Sequence, residues 1–230
     1  MELFYSSQIS NQIALLDEQE SRHCIKVLRH RQNDELNFTD GNGNIYSGKL
    51  SKADLRQCEI TIQNIQKEEQ RNFELHIAIA PTKAMERFEW FLEKAAELGV
   101  EEITPLLCRH SERKHLNMER CEKILISGMK QSNRSRKPKL NEMTPFNKMM
   151  NHNADVKAIA HCSSGDKKSI IEIMQASSLL LLIGPEGDFS EEEIKLATDA
   201  SFIPLTLGDK RLRTETAAVH AASITYFLKN

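Results

Sequence analysis

Two stretches near the carboxyl end of this chain put glycines, cations and carboxylates where an open α/β sheet binds its ligands. In the first, an apolar run over 179–183 enters Gly184-Pro185-Glu186-Gly187 and then Asp188-Phe189-Ser190. The run reads as a fully buried strand, and Ser190 with Glu193 three residues on reads as a capping box opening a helix. Glycines at the carboxyl end of a strand let a ligand approach the backbone and leave bare N–H and C=O groups to hold it. In the second, Leu205-Thr206-Leu207-Gly208 leads through Asp209-Lys210-Arg211-Leu212-Arg213 to Thr214, Glu215 and an alanine-rich helix. Three cations beside a strand end and a helix amino terminus suit negative charge, with Thr214 as the expected cap. Each stretch taken alone also fits a tight turn or a solvated loop. Other chemistries lack their signatures. There is no G-x-x-x-x-G-K-[ST] and no G-x-S-x-G, and Gly41-x-Gly43 falls in a hairpin turn. The eight histidines are scattered, His110 and His115 are not at i, i+4 spacing, and no metal site is expected.

The elements that must position these stretches alternate. Strands over 75–80, 102–107, 156–161 and 179–183 are interleaved with helices expected over 85–98 and 117–131, and the last two strands are each expected to lead into a helical segment. Phe88, Phe91, Leu92, Ala95 and Leu98 form one apolar helical face, stopped by Gly99. Such alternation implies an α/β domain with a largely parallel sheet. The amino-terminal part is different. Strands over 35–39, 45–50 and 58–65 surround the Asp40-Gly41-Asn42-Gly43-Asn44 turn, with one helix over 18–28. The polar run 66–72 is the expected linker, dividing the chain into 1–70 and 71–230.

Composition bounds the partners. The 230 residues carry 31 Lys/Arg against 33 Asp/Glu, which excludes a globally basic coat protein. Yet residues 109–139 hold ten Lys/Arg and three Glu, a net of +7, whereas 1–70 is net −3. A segregated field of this kind suits a phosphate backbone, although a solvated helix face is an equally simple reading. The longest apolar run falls far short of the roughly 20 residues of a membrane helix. Five scattered cysteines without a C-x-x-C pair read as reduced thiols in a cytoplasmic protein.

The strings LLIGPEGDFSEEEI and LGDKRLRTETAAVHA resemble the two carboxy-terminal signatures of the RsmE-type 16S rRNA (uracil-N(3))-methyltransferases of the SPOUT superfamily. RHCIKVLRHR with DGNGN, KAMERFEWFLEKAAELGVEEITPL with HSERK, and KQSNRSRKP extend the resemblance over the chain. It departs at Lys130, where the family usually has Glu, at Asn133 and Asp188, where Gly is common, and at Asp209-Lys210. The resemblance implies a PUA-like β-barrel over 1–70 and an α/β SPOUT domain over 71–230 with a deep trefoil knot. It implies a homodimer, S-adenosyl-L-methionine as cofactor, and a uridine of small-subunit rRNA as substrate, with no membrane partner. Cofactor contacts would come from His161, Ile183, Gly184, Pro185, Gly187, Leu207, Gly208, Leu212, Arg213 and Thr214. Arg213 would stabilise charge on the base, Glu186, Glu215 or a water would accept a proton, and Arg29, Arg113, Arg134 and Arg136 would hold phosphates. The competing class is a non-catalytic RNA-binding assembly factor, which the small domain and the basic stretch alone would permit.

Overall fold

A computed structural model describes residues 2–69 and 71–229. They fall into two compact units, Met1–Gln70 with Ile126–Lys137, and Arg71–Leu125 with Pro138–Asn230. The segment 126–137 thus clusters with the amino-terminal unit and not with its neighbours in sequence.

The first unit is a six-stranded sheet. Its strands are β1 (Leu3–Tyr5), β2 (Gln8–Ser10), β3 (Ile13–Leu15), β4 (Glu35–Thr39), β5 (Asn44–Lys52) and β6 (Glu59–Lys67). They run in the order β1-β4-β5-β6-β3-β2, with β1 parallel to β4 and the other pairs antiparallel. No ladder joins β1 to β2, so the expected barrel is left open at that edge. Ser6, between the two, donates its hydroxyl to Leu15 O at 2.7 Å. Phe4, Leu16, Phe38, Leu50 and Ile60 fill the interior, and the Phe38 and Tyr46 rings stack at 4.9 Å. The turn before β5 is built around Asp40, whose carboxylate accepts from Asn42 N, Asn44 Nδ2 and Tyr46 Oη. The helix expected over 18–28 changes pitch. Asp17 caps α1 (Glu18–Arg22) by accepting from Glu20 N, and the chain then widens into a π-helical turn, His23–Val27.

The second unit is a wholly parallel sheet covered on both faces. Its strands are β7 (Glu74–Ile79), β8 (Glu102–Leu107), β9 (Lys139–Leu140), β10 (Thr144–Pro145), β11 (Val156–Ala160), β12 (Lys168–Ser169), β13 (Ser178–Ile183) and β14 (Ile203–Thr206). The order is β10-β8-β7-β13-β11-β14-β12, with β9 also paired to β8. The helices are α2 (Met85–Leu98), α4 (Glu191–Asp199) and α5 (Thr214–Lys229), together with the first half of α3 (Met118–Gln131), whose residues from Ile126 on cluster with the first unit. Strand residues alternate between the two faces, so β13 sends Leu179, Leu181 and Ile183 to one core and Leu180 and Leu182 to the other. The first core includes Phe88 and Phe91 of α2 and Ala218, Ala221 and Ala222 of α5. The second includes Phe146, Met149, Phe189, Ala197 and Phe202. Such burial on both faces explains why the strands read as unbroken apolar runs.

Two local expectations are corrected. The strand over 156–160 is followed only by β12 and a short 3-10 turn, Ile171–Ile173, and not by an α-helix. Thr214 is the first residue of α5 and not its cap, and its hydroxyl donates to Gly184 O. No described helix is long and apolar enough to cross a membrane.

Candidate functional site

A cavity of about 630 Å³ opens at the carboxyl ends of β11, β13 and β14. That is the edge where open α/β sheets bind ligands, and the volume falls within the small-molecule range. One wall is Ala160-His161-Cys162, the second is Ile183 to Glu186 with Asp188, and the third is the loop from Leu205 to Thr214. Polar bonds tie the three walls together. Thr214 donates its buried hydroxyl to Gly184 O at 3.0 Å, and the Arg211 Nη2 donates to Glu186 O at 2.7 Å. The Asp188 carboxylate accepts from Cys162 N at 2.7 Å and from its own neighbour Phe189 N at 2.8 Å. Lys167 reaches back to His161 O at 2.6 Å.

His161 is the side chain in this cavity with the clearest unmet need. Both ring nitrogens are buried and have no hydrogen-bond partner. Burial, helped by the Lys167 charge, holds its imidazole below the usual histidine range. A neutral ring offers one donor and one acceptor, and a buried polar group left unpaired costs stability unless a ligand or water meets it. Gly208 lies in the left-handed region at φ +136°, with open space where a Cβ would stand.

Of the residues expected at a cofactor site, His161, Ile183, Gly184, Pro185, Leu207, Gly208, Leu212, Arg213 and Thr214 all line this cavity. Gly187 does not. A Cβ there would meet the His110 Cβ at 3.2 Å, so its smallness makes room for His110. Gly184 is small for a similar reason, because a Cβ would stand 3.1 Å from the Phe189 ring. The candidate catalytic residues separate. Arg213 lines the cavity, is exposed, and its guanidinium has no partner among the described residues. Glu186 lies at the rim and accepts from Lys83 N at 3.0 Å. Glu215 is turned away from the cavity. It is buried, its Oε1 is 3.8 Å from Arg87 Nε, and its Oε2 is unpartnered. Sequence reasoning passed over Lys167 and the carboxylate of Asp188, whose signal was the polar loop that follows a buried strand.

The expected phosphate-binding arginines differ in what they touch. Arg29 is exposed at φ +62°. Arg113 donates to Thr82 O at 3.1 Å and Lys83 O at 2.6 Å, bracing the loop before α2. Arg136 donates to Asn42 O at 3.1 Å and Glu68 O at 3.4 Å, while Arg134 lies in the same segment, half-buried. Within the basic stretch Arg109 pairs with Glu192, Arg120 with Glu89, Lys123 with Glu119 and Lys139 with Glu102. Arg136 instead holds the first unit together. Its guanidinium occupies the space beside Gly43, where a Cβ would come within 2.4 Å of it. Adjacent Ser135 is fully buried, donating N–H and hydroxyl to Glu68 and accepting on its carbonyl from Gly43 N at 2.9 Å. Arg136→Ala is therefore expected to destabilise the first unit by about 2 kcal/mol, the range for charged hydrogen bonds lost from partly buried groups. Urea denaturation followed in that unit checks this, with ligand affinity of the cavity unchanged.

The departures from the family pattern have structural reasons. Lys130 forms an ion pair with Glu20, a buried carboxylate that also accepts from Tyr5 N at 3.1 Å. Asn133 and Asp188 sit at φ +53° and +64°, where glycine is easiest and Asn and Asp are the next most tolerated residues.

A parallel α/β unit with a ligand cavity at its strand ends, preceded by a small β unit, defines a two-domain enzyme architecture. The family model for an RNA methyltransferase domain matches residues 68–226, and that for an RNA methyltransferase PUA domain matches residues 16–63. The chain belongs to this RNA methyltransferase family and is a methyltransferase with an amino-terminal PUA-like domain. It is 31% identical to the ribosomal RNA small subunit methyltransferase E of Buchnera aphidicola over 92% of this chain and 86% of that one. A structure from Porphyromonas gingivalis described as a "probable rRNA-methyltransferase" is 36% identical, with a TM-score of 0.93 over 100% of this chain and 98% of that one. A Legionella pneumophila structure described as a methyltransferase in complex with bound SAM is 28% identical, with a TM-score of 0.89 over 99% and 98% of the two chains.

Proposed function

We propose that the chain uses S-adenosyl-L-methionine to methylate N(3) of one uridine in the 16S rRNA of the small ribosomal subunit. The observation that carries this reading is the three-walled cavity with His161 unsatisfied at its edge. Family membership and the SAM-bound relative support it. The residues present fit that cofactor. Backbone groups of Ile183 to Pro185 and of Leu207 to Leu212 would hold its polar edges, His161 would bond to it through one ring nitrogen, and Ile183, Leu205 and Leu207 would cover its apolar surface. When bound, the cofactor supplies an already electrophilic methyl group.

The protein's own part is alignment and charge stabilisation. N(3)–H lies on the pairing edge of uracil, so the base must stand unpaired to reach the site. As N(3) loses its proton, negative charge spreads onto the two carbonyl oxygens. The unpartnered guanidinium of Arg213 is a planar, permanently charged donor for that charge. Glu186, on the cavity rim, is the better placed proton acceptor. Glu215, held against Arg87, positions the start of α5. Arg29 and Arg134 remain the candidates for phosphate contact.

The SPOUT class and its trefoil knot are part of the same proposal. They are supported by the loop 207–213, which is bonded back onto the loop after β13 through Arg211 and Thr214. A homodimer is supported by apolar exposure on the paired helices α2 and α5, at Trp90, Tyr226 and above all Phe227, which is 84% exposed. A cytoplasmic location follows from the substrate. Calorimetry with S-adenosylhomocysteine tests the reading: binding of one ligand per chain is expected, and no binding with RNA affinity intact would favour the assembly-factor alternative.

A further inference from the structure

At the amino-terminal end of the sheet, opposite the cavity, the fold gathers side chains that the sequence scatters. His76 is the third residue of β7, its register partner Glu102 opens β8, and His152 ends the 3-10 segment Phe146–Asn151. The His76 Nδ1 is 3.2 Å from His152 Nε2 and 4.0 Å from Glu102 Oε2, and the three candidate ligand atoms lie within 4.8 Å of one another. We infer that these three residues bind one divalent transition-metal ion of the zinc class, which fastens the 3-10 segment to the sheet.

Three further observations support this. The donor set is two imidazoles and a carboxylate, the set borderline cations such as zinc prefer. Ligand atoms around a tetrahedral zinc stand about 3.3–3.4 Å apart, given metal–nitrogen bonds of about 2.0–2.1 Å. The histidine pair is already near that spacing, and only the partly exposed Glu102 carboxylate must swing inward. The surroundings also fix the ligands. Buried His76 meets Thr104 Oγ1 through its Nε2 at 2.7 Å, and a proton on that nitrogen leaves the Nδ1 lone pair free toward His152 and Glu102. Asn141 Nδ2 donates to Thr104 Oγ1 and to Glu102 Oε1, each at 2.7 Å, tying the two together. Lys139 also takes Oε1, at 2.9 Å, which leaves Oε2 for the metal. Half-exposed His152 and Glu102 leave a path from solvent and room for a water as fourth ligand. These ligands are separated by 26 and 50 residues and match no metal-binding spacing, so the site is not legible in one dimension.

The test uses the untagged full chain, stripped with a chelator and titrated with Zn²⁺ by calorimetry and with Co²⁺ by visible absorption. One equivalent of Zn²⁺ is expected to bind, to raise the melting temperature, and to be replaceable by Co²⁺ with the intense bands of a tetrahedral site. His152→Ala is expected to weaken binding roughly 100-fold or more and to abolish those bands. Glu102→Gln serves as the second variant if the first does not fold. No binding by the parent chain, or unchanged affinity in both folded variants, would overturn the assignment and leave a hydrogen-bonded histidine pair. Affinity for S-adenosylhomocysteine should not depend on the metal, because the cavity lies at the other end of the strands.

Discussion

Arg213→Lys is expected to lower single-turnover methylation roughly 10²-fold, the effect of removing one donor to a developing oxyanion. That factor corresponds to about 2.7 kcal/mol of transition-state stabilisation. Lysine keeps the positive charge, so the variant tests the planar fork and not the field. The structure makes the comparison clean. The Arg213 guanidinium bonds to no described residue, and the start of α5 is held by its neighbours, Thr214 on Gly184 O and Glu215 beside Arg87. Melting temperature and oligomeric mass should therefore match the parent, and affinities for cofactor analogue and RNA should change only a few-fold. Methylation at near-parental rate would remove Arg213 from the chemistry. A change in oligomeric mass would move its role to assembly.

Asp188→Ala is expected to weaken S-adenosylhomocysteine binding by roughly tenfold to a hundredfold. Its carboxylate accepts from Cys162 N on the facing wall of the cavity and from its own neighbour Phe189 N, and each charge-assisted bond is worth about 1.5–3 kcal/mol. Alanine also has no local hydrogen bond to offset the positive φ of this position. Asp188→Gly separates the two contributions. Glycine relaxes the backbone but restores neither bond, so its affinity should lie between those of alanine and the parent. Parental affinity in Asp188→Ala would mean that the walls hold without this tie.

What could be read from the sequence was local. Helix α2 and its stop at Gly99, which sits at φ +71°, follow from one apolar face and one left-handed residue. The capping box of Ser190 and Glu193 forms as its spacing requires. The cavity was legible for the same reason, because glycines and cations at strand ends are a local pattern. What failed depended on distant partners. The short strands β1 to β3 have only three residues each and are specified by pairing with β4 and β6. The segment 126–137 joins the first unit through Glu20, Asn42 and Glu68, none of them near in sequence. The charge of 109–139 could be counted, but not the carboxylates that pair with some of its cations. Gly187 read as a ligand contact because a glycine's neighbour, here His110, is invisible in one dimension.

Methyl transfer to a particular atom is read most directly from the product. Small subunits from a strain lacking the gene would be incubated with the purified chain and isotopically methyl-labelled S-adenosyl-L-methionine, then digested and mapped by mass. One labelled methyl on N(3) of a single uridine of 16S rRNA is expected, and its amount should fall sharply with Arg213→Lys. Label on a ribose oxygen or a base carbon, label spread over many uridines, or no label despite cofactor binding would contradict the account.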